Sequence, residues 1–235
     1  MTGSLVSAAT RQRVRGLAMP VAVALGRLGL TPNALTVIGF VGTCVAAFAA
    51  ADRSWLAAGI LVLAFGIFDL LDGTLARATG RASKLGAFLD STLDRAGEGI
   101  TYVGIAAGCI AAGFAPGAFL AATALAASFM VSYTRAKAES LGFAPGSGLM
   151  NVGLAPREVR LAILAIGLSW AGLWTPFVDP GTCTANPDGG GACVFVLSPN
   201  FGSTVLAGTL ALMTTLAALT TIQRIIHVRA QAKEG

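Results

Sequence analysis

Residues 69–94 read DLLDGTLARATGRASKLGAFLDSTLD and place four carboxylates, Asp69, Asp72, Asp90 and Asp94, within 26 residues of a chain that has only 11 acidic residues. Asp69 and Asp72 are three apart and Asp90 and Asp94 four apart, so on helices each pair shares a face. The link between them, TGRASK at 79–84, is short, polar and basic. It returns the second helix beside the first and lets all four carboxylates gather around one point.

Outside this stretch the chain is strongly apolar. Of 235 residues, 55% are hydrophobic and 11% charged, against about 25% charged in an ordinary globular protein, and the mean hydropathy is +0.75. A soluble fold of this size cannot easily hide so much apolar surface. Apolar runs lie near 34–51, 54–75, 96–114, 117–134, 159–178 and 201–223, most approaching the ~20 residues that cross a bilayer. They predict an all-α polytopic membrane protein with six transmembrane helices. The expected organisation is a basic cytoplasmic arm with a juxtamembrane amphipathic helix over 1–30, a six-helix domain over 31–229 and a cytoplasmic tail over 230–235. Pro20 is a natural first residue for the juxtamembrane helix.

Basic residues set the orientation. Arg11, Arg13, Arg15 and Arg27 precede the first apolar run, and Arg77, Arg81 and Lys84 lie between the second and third. Arg135, Lys137, Arg157 and Arg160 surround the fourth-to-fifth connection, and Arg224, Arg229 and Lys233 follow the sixth run, whereas the alternate connections carry only Arg53. By the positive-inside rule both termini and the carboxylates face the cytoplasm, in a cell inner (plasma) membrane. The net charge of +5 is accounted for by this topology and by anionic lipid headgroups, so no nucleic-acid partner is expected. The first 30 residues lack an apolar core with a small-residue cleavage site, and no signal peptide is expected.

Clustered carboxylates repel one another unless cations bind between them. An all-oxygen donor set with no His or Cys group favours Mg2+ or Mn2+ over zinc, and two divalent cations can share four carboxylates as in phosphoryl-transfer sites. The structural alternative is capping and ion pairing with Arg77 and Arg95. Other residues carry less. Thr31 can cap a helix opened by Pro32, and Thr36, one turn further on, can bond a backbone carbonyl or meet a ligand. Cys44 reads as an inert core thiol and His227 as an interfacial residue. Cys183 and Cys193 fall in the longest outer segment, where a disulfide can persist.

Asp69, Asp72-Gly73, Ala76-Arg77, Gly86, Asp90 and Asp94 follow the pattern D-x2-D-G-x2-A-R-x8-G-x3-D-x3-D. With eight fixed positions, the chain resembles the CDP-alcohol phosphotransferases over about residues 20 to 229. That resemblance implies membrane homodimers that transfer one part of a CDP-alcohol onto a hydroxyl. It implies Asp69, Asp72, Asp90 and Asp94 as metal ligands, with Asp94 also the general base. Thr31, Pro32, Asn33, Gly73, Ala76, Arg77 and Gly86 are then the nucleotide-binding residues.

Arg135, Arg157, Arg160 and Arg224 outnumber what orientation requires and suit an acceptor that is itself phosphorylated. Within the family the chain is most similar to actinobacterial phosphatidylinositol phosphate synthases, on the segment Ser132-Tyr133-Thr134-Arg135-Ala136-Lys137-Ala138-Glu139, on Arg157 and Arg160, and on Gln223-Arg224. It departs from them in having Ala155-Pro156-Arg157-Glu158-Val159-Arg160 where they commonly have E-R-P-E-R. The resemblance implies Ser132, Arg135, Arg157, Arg160 and Arg224 as the acceptor-phosphate pocket. It further implies transfer of the phosphatidyl group of CDP-diacylglycerol to the 1-hydroxyl of inositol 1-phosphate, with release of CMP. Glycerol 3-phosphate is the alternative acceptor, and a membrane transporter or scaffold the alternative class. A transporter would ordinarily show repeats with broken helices at mid-membrane, and the charges here cluster at one boundary.

Overall fold

The structure, a computed structural model, describes residues 8–143, 155–174 and 201–234, with side chains from residue 16 to residue 233 of those. Seven helices follow in order: α1 (Ala8–Arg27), α2 (Pro32–Ala51), α3 (Trp55–Ala78), α4 (Lys84–Ala111), α5 (Ala115–Ser140), α6 (Arg157–Gly172) and α7 (Phe201–Glu234). Cys183, Cys193 and most of the fourth-to-fifth connection lie outside the described residues.

Local chemistry explains where the site-bearing helices begin. Thr31 accepts a hydrogen bond from the Ala34 N–H at 3.2 Å, and Pro32 follows as the first helical residue of α2, where its missing N–H costs nothing. Ser83 caps α4 in the same way, accepting from the Gly86 N–H at 3.0 Å. α1 starts earlier than expected. Pro20 lies inside it, because Ala8–Met19 is rich in helix-forming Ala, Arg, Gln and Leu and carries the helix up to the proline.

Six helices close a ring: α2 packs on α3, α3 on α6, α6 on α7, α7 on α5, α5 on α4, and α4 back on α2, while α1 lies against α3. Small residues permit the close crossings. A Cβ on Gly104 would lie 2.2 Å from the Ala47 carbonyl oxygen, and one on Gly59 2.6 Å from that of Ala165, so α4 meets α2 and α6 meets α3 backbone to backbone. The core of the ring holds Trp55, Tyr102, Ile105, Leu164, Leu168, Leu206, Leu210 and Met213. Phe48, Ile110 and Phe119 point outward and are exposed, as side chains facing lipid are.

The expectation of six transmembrane helices is corrected. Among the described residues, four helices are long and apolar enough to cross a membrane: α2, α3, α5 and Phe201–Lys233 of α7. α4 is long enough, but its N-terminal part carries Lys84, Asp90, Asp94, Arg95 and Glu98. α6 has 16 residues, about 24 Å at 1.5 Å per residue, short of a hydrocarbon core of about 30 Å. The two helices that fall short carry Asp90, Asp94, Arg95 and Glu98 on α4 and Arg157 and Arg160 on α6.

Candidate active site

α3 and α4 run side by side against α2 and bring the aspartates together. Carboxylate oxygens of Asp69, Asp72 and Asp90 lie within 4.8 Å of one another, with Asp72 buried and the other two half-buried. Asp72 is oriented at both oxygens. The Thr36 hydroxyl donates to Oδ2 at 2.6 Å, with the Pro32 carbonyl at 3.1 Å, and the Gly73 N–H donates to Oδ1. Asp90 Oδ1 is buried with no hydrogen-bond partner among the described residues. An undonated oxygen facing two other carboxylates is what a hard divalent cation satisfies, so the residues present fit Mg2+ or Mn2+.

Asp94 stands apart from that triplet and is joined to it through Arg157. One guanidinium nitrogen, Arg157 Nη1, donates to Asp94 Oδ2 at 2.6 Å and to Asp69 Oδ2 at 2.7 Å. The contact spans α6, α3 and α4. On α4, which is not among the four spans, burial pushes the Asp90 carboxyl up to about 7 and the Asp94 carboxyl up to about 8; like charge on Asp69 adds to both and Arg157 opposes it.

Two clefts flank the carboxylates: the first has Asp72 and Asp90 in its wall, and the second is joined to them through Arg157. The first, of about 200 Å³, is lined by Pro32, Asn33, Gly73, Ala76, Arg77 and Gly86 together with Asp72 and Asp90. It therefore unites the expected nucleotide residues except Thr31, which caps the helix beside it. A Cβ on Gly86 would stand 3.0 Å from Asn33 Oδ1, so a larger side chain there would crowd the cleft.

The second cleft, of about 250 Å³, is lined by Ser132, Arg135, Arg157, Arg160 and Arg224, and also by Ser91 and Arg95. The five residues expected to bind an acceptor phosphate thus share one cavity, but in different states. Arg135 pairs with Glu139 at 2.8 Å on the exposed rim. Arg224 is buried and donates to the Val131 carbonyl. Arg160 is 1% exposed and donates to Glu98 Oε1 at 2.9 Å and to the Ala155 carbonyl at 3.2 Å. Arg157 is held by the aspartates.

Sequence reasoning did not assign Thr36, Arg95 or Glu98 to the site. Glu98 follows Asp94 by four residues, which puts it on the same helix face. Its partner on α6, Arg160, lies 62 residues away, and no local pattern announces it.

Comparison with known proteins agrees with this geometry. The family model described as CDP-alcohol phosphatidyltransferase matches residues 29–186. The chain is 34% identical over 216 residues to the phosphatidylinositol phosphate synthase of Cutibacterium acnes, covering 89% of this chain and 91% of that protein. It is 42% identical over 142 residues to the archaetidylinositol phosphate synthase of Pyrococcus horikoshii, covering 60% and 71%. Among solved structures, the phosphatidylinositol phosphate synthase of Mycobacterium tuberculosis with CDP-DAG bound superposes with a TM-score of 0.68 at 26% identity, covering 90% of this chain and 92% of that one. The same mycobacterial enzyme in complex with manganese and citrate also gives 0.68 at 26%, covering 90% and 88%. The matched span contains all eight motif positions and both walls of the nucleotide cleft, and the chain belongs to the CDP-alcohol phosphatidyltransferase family.

Proposed function

We propose that the protein is a metal-dependent phosphatidylinositol phosphate synthase, which transfers the phosphatidyl group of CDP-diacylglycerol to an inositol phosphate and releases CMP. The observation that carries this reading is the cleft of five arginines that shares Arg157 with the carboxylate cluster. A neutral acceptor would have no use for that charge. The relatives support the acceptor independently. The archaeal and bacterial proteins differ in the lipid their names give but agree on inositol phosphate, and the bacterial match covers more of this chain.

In this reading Pro32, Asn33, Gly73, Ala76, Arg77 and Gly86 hold the cytidine diphosphate part, with Thr31 fixing the turn that carries Asn33. Asp69, Asp72, Asp90 and Asp94 hold two divalent ions, Mg2+ or Mn2+, which when bound neutralise the pyrophosphate and the charge developing on the transferred phosphoryl group. Ser132, Arg135, Arg157, Arg160 and Arg224 receive the acceptor's phosphate.

One atom in the sequence-based expectation needs correction. Position 1 of inositol 1-phosphate bears the phosphate and has no hydroxyl to offer, so the nucleophile is a free ring hydroxyl. Asp94 accepts its proton, the hydroxyl oxygen bonds to the β-phosphorus, and the bond from that phosphorus to the bridging oxygen breaks as CMP leaves. The lysine and arginine distribution supports a site and termini on the cytoplasmic side of the membrane. A homodimer is supported by the family resemblance.

The test is stoichiometric. Purified protein with CDP-diacylglycerol, inositol 1-phosphate and Mg2+ is expected to give CMP and a new phosphoinositide in equal amounts, and neither product in excess EDTA. CMP without a new lipid would identify a hydrolase and overturn the reading.

A further inference from the structure

α4 presents two rows of side chains one residue out of step. Asp90 and Asp94 line the carboxylate side, whereas Ser91 and Arg95 line the arginine-rich cleft. Successive residues are about 100° apart around a helix, so the same two turns of α4 serve both sides. The expected base and Arg95 are thus neighbours in sequence that face adjoining cavities.

Charge accounting separates Arg95 from the more buried arginines of the cleft and leaves it, like Arg135, part-exposed and with a single carboxylate partner. Arg157 is committed to Asp69 and Asp94, Arg135 has Glu139, and Arg224 donates to a backbone carbonyl. Arg160 has a side chain only 2% exposed and is held by Glu98. Arg95 has one partner among the described residues, Glu98 Oε2 at 2.5 Å, and its side chain is 26% exposed at the cleft wall. Glu98 itself is 9% exposed and uses one oxygen for each arginine, Oε2 for Arg95 on α4 and Oε1 for Arg160 on α6. One buried carboxylate between two guanidinium groups leaves a net positive charge at that wall. A carboxylate present only to neutralise would need one partner, and this one joins two arginines from different helices at a fixed separation.

We propose that Arg95 is an acceptor-phosphate-binding residue and that Glu98 is a positioning residue, holding Arg95 and Arg160 in register at the wall of the acceptor cleft. The proposal rests on the acceptor reading given above and extends it to two residues outside the expected set. An acceptor whose free hydroxyl lies at Asp94 then has its phosphate met by the next residue of the same helix. Arg160 acts from behind, as the second arm of the clamp.

The experiment is a two-substrate kinetic comparison of wild type with Arg95→Gln, Arg95→Lys, Glu98→Gln and Glu98→Asp. KM is measured separately for inositol 1-phosphate and for CDP-diacylglycerol. Losing one charge-assisted contact to phosphate predicts a rise of about 10- to 100-fold in the acceptor KM of Arg95→Gln, with the CDP-diacylglycerol KM held within about two-fold. Arg95→Lys keeps the charge without the fork and should fall between the two. Glu98→Gln should follow Arg95→Gln in direction, and Glu98→Asp should recover part of the loss. A merely structural role would move both KM values together, and that result, or an unchanged acceptor KM in Arg95→Gln, overturns the proposal. Arg95 lies at a part-exposed wall, so its variants keep the test decisive if Glu98→Gln does not fold. Should wild type turn over only glycerol 3-phosphate, the acceptor identity fails on its own, and the same KM comparison made with that substrate still decides the role of Arg95.

Discussion

Replacing Arg157 by Gln should make the protein bind Mn2+ more tightly while making it a poorer enzyme. Arg157 Nη1 sits 2.7 Å from Asp69 Oδ2 and 2.6 Å from Asp94 Oδ2, so it occupies coordination capacity that a cation at these carboxylates would claim. The side chains are mostly buried, 19% exposed for Arg157 and 18% for Asp94, and solvent screens the contact little. A hydrogen bond to a charged group is worth about 1.5 to 3 kcal/mol. The ion must break at least one such contact, so removing the arginine lowers its dissociation constant by about 10- to 100-fold at 1.4 kcal/mol per decade. Lost positive charge beside the site acts in the same direction. The assay is titration of wild type and Arg157→Gln with Mn2+, following free aquo-Mn2+ by electron paramagnetic resonance, and requires no turnover. Equal or weaker binding by the variant would refute the reasoning and mean that Arg157 and the ion do not compete.

Three further substitutions probe separate parts of the account. Asp94→Asn keeps the shape of the side chain but removes the proton acceptor, so kcat should fall by about 10²- to 10⁴-fold with little change in thermal stability; retained turnover would remove Asp94 from the base role. Gly86→Val fills the nucleotide cleft, where even a Cβ would stand 3.0 Å from Asn33 Oδ1, and should raise the CDP-diacylglycerol KM at least about ten-fold while sparing the acceptor KM. Gly104→Leu forces a side chain against the Ala47 carbonyl oxygen, 2.2 Å from the first added carbon, and must separate α2 from α4. Overpacking of this kind costs about 1 to 3 kcal/mol, or a fall of several degrees in Tm for a chain of this size at about 2–4 °C per kcal/mol, measured by thermal denaturation in detergent.

The aspartate cluster was legible in the sequence because it follows from helical geometry alone. Spacings of three and four on two helices joined by a short link bring Asp69, Asp72 and Asp90 to one point, whereas Asp94, expected there too, stands apart and is tied in by Arg157. Caps were legible for a similar reason: Thr31-Pro32 and Ser83 act within one turn. Contacts made across the ring were not. Arg157 meets Asp69 and Asp94 at sequence separations of 88 and 63, and neither periodicity nor composition carries that pairing. Sequence showed an arginine suited to an anion, and the fold shows one engaged by carboxylates.

The count of spanning helices failed where hydropathy and function compete. Runs near 96–114 and 159–178 suggested membrane helices, yet the helices that form begin earlier, at Lys84 and Arg157, to bring charged residues to the site. The polar start of α4 and the 16-residue length of α6 exclude them from the set long and apolar enough to cross. Glu98 shows the same limit from inside the bundle. Its position one turn beyond Asp94 and three residues after Arg95 was visible, but not Arg160, which arrives from α6.

The most direct test of the proposed function is an acceptor comparison with purified protein, CDP-diacylglycerol and Mg2+, in which inositol 1-phosphate, glycerol 3-phosphate, free inositol and serine are supplied separately and the lipid product is identified by mass. Phosphatidylinositol phosphate formed from inositol 1-phosphate, with no product from free inositol or serine, is the predicted result. A lipid product from glycerol 3-phosphate alone would contradict it, leaving the carboxylate chemistry intact and assigning the arginine cleft to a different phosphorylated alcohol.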